Sequence, residues 1–133
     1  MTRYAVAYAA AFTVLLVLDL LWIGVVANPM YRSGIGHLMA ERADLRWALV
    51  FYFVYVTGLV WYGVVPHGAT PGLLATAKSA AVFGFFAYAV YDLTNLAVLR
   101  EWPVRLAFID MAWGTFVSTA ASVASKFAYD RMA

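Results

Sequence analysis

No cysteine occurs among the 133 residues, which excludes disulfides, thiolate-bound metals, iron–sulfur clusters and thiol chemistry. Charge is scarce too: 12% of the residues are Asp, Glu, Lys or Arg, against 65% that are apolar. A soluble domain carries about twice that share of charge on its surface, so this composition belongs in a bilayer. Histidine is limited to His37 and His67, which fall in connections on opposite faces and cannot share a metal within one protomer. The net charge of +2 is not gathered into a basic, aromatic-interleaved patch, so no nucleic-acid partner is expected. There is no cofactor or metal signature, and Ser118 has no histidine at membrane depth to act as its base.

What the chain does have is four long apolar runs, at residues 4–27, 45–65, 73–99 and 104–129. Each reaches the roughly 20 residues that a spanning helix needs, and each is too long for a barrel strand. The first is also too long for a signal-peptide core and carries Asp19, so it reads as a retained helix. Asn28-Pro29 should stop it, and Ile35, Leu38, Met39 and Arg42 recur at the spacing of a short interfacial helix in the first connection. The second connection, Pro66 to Gly72, is a cluster of helix breakers; the third is only Arg100-Glu101-Trp102-Pro103. Short connections make neighbours antiparallel, so the second helix should pair with the third and the third with the fourth. The expected fold is an all-α, antiparallel four-helix transmembrane bundle, built as a single domain with both termini on one side. Five basic residues flank connections one and three, against four on the opposite side. That bias turns connections one and three to the cytoplasm, and its near balance also fits insertion in both orientations.

Three acids interrupt these runs. A carboxylate at membrane depth costs ~2.5–3.5 kcal/mol on insertion scales, so each requires a reason. Asp19 lies eight residues before Ala27, Asp92 eight before Arg100, and Asp110 seven after Pro103. At about 1.5 Å per residue, all three sit about 10–12 Å below the face shared by connections one and three. The same depth on the second helix reaches Tyr52, with Tyr55 one turn further. Trp22 and Trp113 each follow an acid by three residues, Asn95 takes that place after Asp92, and Tyr88 precedes Asp92 by one turn. Asp19, Asp92 and Asp110 are therefore expected to converge, with Asn95, Tyr88, Tyr52, Trp22 and Trp113 around them, as a ligand- or proton-binding site. Carboxyls brought together in low dielectric cannot all ionise, so a proton, a cation or an arginine must compensate.

The competing reading is interhelical glue, worth about 0.6 kcal/mol per buried polar contact. Arg105 folding towards Asp110, or Arg100 towards Asp92, would serve it by neutralising the acids. Trp47, Trp61, Tyr62 and Trp102 fall at span ends and read as interface anchors. Gly114, Ser118 and Ser122, like Ala80 and Gly84, repeat every fourth residue and mark faces for close helix packing.

The segments Leu18-Asp19-Leu20-Leu21-Trp22-Ile23-Gly24, Tyr91-Asp92-Leu93-Thr94-Asn95-Leu96-Ala97, Trp102-Pro103 and Asp110-Met111-Ala112-Trp113-Gly114-Thr115-Phe116 resemble a bacterial membrane-protein family, domain of unknown function 2177. The resemblance covers essentially the whole chain. It implies a four-helix protein of the bacterial inner membrane in which these acids matter, and it implies no activity. Three functions fit the residues. The first is proton- or cation-linked binding or transport of a small or amphipathic solute, with carboxylate for charge and indole for a π face. The second is a non-catalytic accessory subunit of a larger membrane complex, or a homo-oligomer. The third is a lipid-modifying enzyme or its helper, using two carboxyls as acid and base. The lipid bilayer is the one partner all three share.

Overall fold

A computed structural model describes residues 1–132. Helix α1 runs over Thr2–Leu21 and continues as a π-helical turn, Trp22–Val26, closed by the Ala27 N–H donating to the Trp22 carbonyl at 2.7 Å. A short helix, α2, follows at Asn28–Ile35, with Pro29 in its first turn, where a missing N–H does no harm. Asn28-Pro29 thus both ends α1 and starts α2. The connecting helix lies earlier in the chain than Ile35 and Leu38 suggested, and a single 3-10 turn, Gly36–Leu38, completes it.

Helix α3, Leu45–Leu59, extends through a π turn at Val60–Val64 and a 3-10 turn at Val65–His67. Asp44 caps it by accepting from the Arg46 N–H at 3.0 Å, and its bond to the Arg46 guanidinium holds the carboxyl below the usual carboxylate range. Helix α4 spans Leu74–Val98 and α5 spans Val104–Arg131. With α1 and α3, these make four helices long and apolar enough to cross a membrane, in antiparallel succession. Their outward side chains are those of a lipid-facing surface: Val25, Trp47, Trp61, Val90 and Phe116 are all more than half exposed.

Helix α5 is the hub. It is half buried along its length, while no other span exceeds a third, and it packs lengthwise against both α4 and α1. Its small residues make this possible. A Cβ added to Gly114 would land on the Tyr88 ring, and one added to Gly84 would meet Ser118 and the Gly114 carbonyl. The pairing expected between the second and third spans is closest at one end: α4 packs tightly on the Val60–Val64 end of that helix, while the body of α3 meets it through side chains, Tyr55 against Phe83 and Tyr88.

That uneven packing divides the bundle in two. The half nearest the termini holds an apolar core of Ala7, Ala11 and Leu15 from α1, Val56, Leu59, Val60 and Val64 from the second span, and Val117 and Ala121 from α5. Hydrogen bonds join the helices there, from Ser125 Oγ to the Ala7 carbonyl at 2.7 Å and between Tyr55 and Ser118 at 2.7 Å. Lys126, at a span end, is buried rather than snorkelled, bonded to Asp130 at 2.6 Å and to the Thr70 carbonyl. The other half is hollow. Replacing Gly114 with alanine should destabilise the protein by about 1–3 kcal/mol through overpacking against Tyr88. Gly24→Ala, where nothing lies within 4 Å, should be neutral or slightly stabilising. Thermal unfolding in detergent checks the contrast.

Candidate functional site

The hollow half encloses a cavity of about 540 Å³ between all four spans, a volume typical of small-molecule sites. Asp19, Asp92 and Asp110 all line it, and so do Trp22, Tyr52, Tyr88 and Trp113. The rest of the wall is Ile23, Tyr31, Ala48, Phe51, Tyr55, Ala87, Tyr91 and Trp102. No lysine, arginine or histidine is among them. The ion pairs among the described residues lie elsewhere, at His37–Glu101, Arg46–Asp44 and Lys126–Asp130. Among the described residues, neither Arg100 nor Arg105 pairs with any of the three acids.

The acids are equipped unequally. Asp19, on the last turns of α1, accepts from the Tyr52 hydroxyl and from the Trp113 indole N–H, each at 3.1 Å. The Trp113 ring lies flat on Trp22, with centroids 4.5 Å apart and planes 4° from parallel. Trp22 opens the π turn, where a wider helical turn commonly marks a functional position. Its indole N–H donates to the Tyr31 hydroxyl at 3.4 Å, and that hydroxyl donates to Asp110 Oδ1 at 2.5 Å. Burial, and next the bond to Asp110, push the Tyr31 hydroxyl above the ordinary tyrosine range, so it remains a donor. The stacked indoles and Tyr31 therefore join Asp19 and Asp110 in one network.

Asp92 stands outside that network. It is the most deeply buried of the three, at 1% exposure, and neither carboxyl oxygen has a hydrogen-bond partner. Its polar neighbours are the Asp110 carboxyl and the Trp102 indole, whose N–H is also buried and unpartnered. Two adjacent carboxyls are compatible in low dielectric when they share a proton or a cation lies beside them. The three acids line one cavity without meeting at a point, and among the described residues no group of three acids or histidines is placed to hold a metal.

Several placements differ from the sequence reading. Asn95 is not on the cavity wall and sits beside Tyr91; a step of three residues falls about 60° short of a full helical turn, an offset that the broad indoles of Trp22 and Trp113 span and a short amide does not. Trp102 is no interface anchor. It turns inward and meets Tyr91 edge to face, with centroids 5.9 Å apart. Tyr31 escaped sequence reasoning entirely, because its partner lies 79 residues away and its helix begins beyond the first span. The usable signal was an aromatic hydroxyl in the first turn of a proline-started helix on the face nearest the acids.

Tyr31→Phe should cost about 1–2 kcal/mol by removing the hydrogen bond to Asp110. Tyr52→Phe should cost less, about 0.6 kcal/mol, because Asp19 keeps its bond from Trp113. Equilibrium unfolding of the two variants in detergent measures the difference.

No match was found among curated proteins or solved structures. The model of a family described as "Predicted membrane protein (DUF2177)" matches residues 4–127, a stretch that includes the whole cavity wall. By that match over nearly its full length, the chain belongs to the DUF2177 family of membrane proteins.

Proposed function

We propose that this chain is a bacterial inner-membrane protein that binds an amphipathic cation in the acid-lined cavity, in exchange for a proton, as a small carrier or binding component. The observation that carries the reading is Asp92: buried, adjacent to another acid, with neither carboxyl oxygen hydrogen-bonded and no basic residue on the surrounding wall. Interhelical bonding accounts for Asp19 and Asp110 and leaves Asp92 without an account. A buried polar group in that position incurs a cost that structural glue would remove by pairing it.

The exchange balances in charge. Asp92 and Asp110 sharing one proton carry a single net negative charge. A monovalent cation beside the two ionised carboxyls leaves that charge unchanged, and the displaced proton leaves to water. Trp22, Trp113 and Tyr88 supply π faces to the bound cation, each worth about 0.5–2 kcal/mol when desolvated. Nothing in this exchange requires a nucleophile or a cofactor.

Calorimetry of the purified protein with an alkylammonium ion tests the proposal. Affinity should rise with pH, by up to about tenfold per unit if one proton leaves per cation. Asp92→Asn preserves shape and should abolish this binding, with thermal stability unchanged or slightly increased. Asp92→Leu should also fold, because the proton shared with Asp110 is the one bond proposed for Asp92, and no helix depends on it for its packing. Affinity indifferent to pH, or an Asp92→Asn variant that binds normally, would refute cation–proton exchange. Loss of folding in Asp92→Leu with Asp92→Asn silent would return the acid to structural glue.

A further inference from the structure

Where the cavity opens suggests where its ligand comes from. At the depth of the acids, the seam between α1 and α3 is closed by the Tyr52 hydroxyl bonding Asp19 and by Phe12 against Tyr52, with ring centroids 6.0 Å apart. On the loop-one side, Tyr31 of α2 and Trp102 of the third connection cover the acids. Towards the termini, Phe83 stacks on Tyr55 and Tyr62, at 5.6 and 5.5 Å, and fills the space between the second span and α4. One turn above Phe83, Tyr88 still meets Tyr55 edge to face, with centroids 6.1 Å apart; beyond that pair the backbones of α3 and α4 stand apart.

That gap is rimmed by Ala48 and Phe51 on α3 and by Ala87 and Tyr91 on α4, all of which line the cavity. Phe51 is 42% exposed and Tyr91 54%, although both belong to helices that cross the membrane. Phe51 lies six residues inside the start of α3, and Tyr91 seven inside the end of α4. At about 1.5 Å per residue these two rings are about 9–11 Å from those helix ends, at the level of hydrocarbon rather than water.

We infer that the cavity opens sideways into the bilayer between α3 and α4, and that its ligand is a membrane-resident alkyl amine. Its protonated head lies at Asp92 and Asp110, and its chain lies in the gap. The polarity of the walls sets this direction: small and aromatic residues at the rim, carboxyls within. An acidic head group would be repelled by three carboxyls with no basic residue beside them. A cavity of about 540 Å³ houses a head and the first part of one chain, not a two-chain lipid.

This inference rests on the cavity being a cation site, and the test separates the two. Dodecylamine, butylamine and dodecanol are titrated into the full chain in nanodiscs, butylamine by displacement. Ala48→Leu and Ala87→Leu narrow the rim from opposite helices, so that one variant failing to fold leaves the other. The ratio of dodecylamine to butylamine affinity should fall by about tenfold in either variant, the scale of overpacking a filled site. An unchanged ratio in the folded variants overturns the lateral opening while leaving the cation site standing. Binding of neither amine to the unsubstituted protein removes both readings. Dodecanol binding as tightly as dodecylamine overturns the assignment of an amine head.

Discussion

The cost of taking carboxyl groups out of water shapes the whole of this bundle. Each acid must be given donors, a counter-charge or a proton, and the helices are arranged around how each is provided for. Asp19 receives two donors, from the second and fourth spans. Asp110 receives one, from a helix in the first connection. These bonds tie α1, α2, α3 and α5 together on the loop-one side, where the apolar core that joins the helices elsewhere is missing. Remove the acids, and that side has no evident reason to remain hollow.

The opposite half supplies the rigidity. Small residues along α5 bring α4 and α1 close, and the Gly84–Ser118 and Gly114–Tyr88 contacts leave no room for a larger side chain. Close packing at one end permits an open arrangement at the other, because interiors packed to crystal-like density deform little. The Gly114 contact also holds Tyr88 on the cavity wall, so the packing seam and the candidate site share a residue. Stability and the shape of the cavity are therefore coupled through one ring.

Much of this was legible in the sequence because the bilayer imposes length and polarity on it. The four spans fall within a few residues of the apolar runs, since a spanning helix must be about 20 residues long. Counting residues from the breakers placed Asp19, Asp92, Asp110 and Tyr52 at one depth, and all four line the same cavity. Rotation about the helix axis was harder to read. It decided that Tyr88 faces inward and Asn95 does not. Contacts made by connections were not legible, because nothing periodic governs them: Tyr31 reaches Asp110, and Trp102 turns inward although its position at a span end suited an interface anchor. Nor could the spacing of acids show that Asp92 alone lacks a partner, which depends on where every neighbouring donor points.

The central claim is that a proton held by the buried acids gives way to a cation. Infrared difference spectroscopy of the carboxyl C=O stretch observes that proton directly. Adding an alkylammonium ion at neutral pH should bleach a protonated-carboxyl band and raise a carboxylate band, and Asp92→Asn should remove the signal. A protein that binds the cation with no change in that band, or gives the same change without Asp92, would contradict the account.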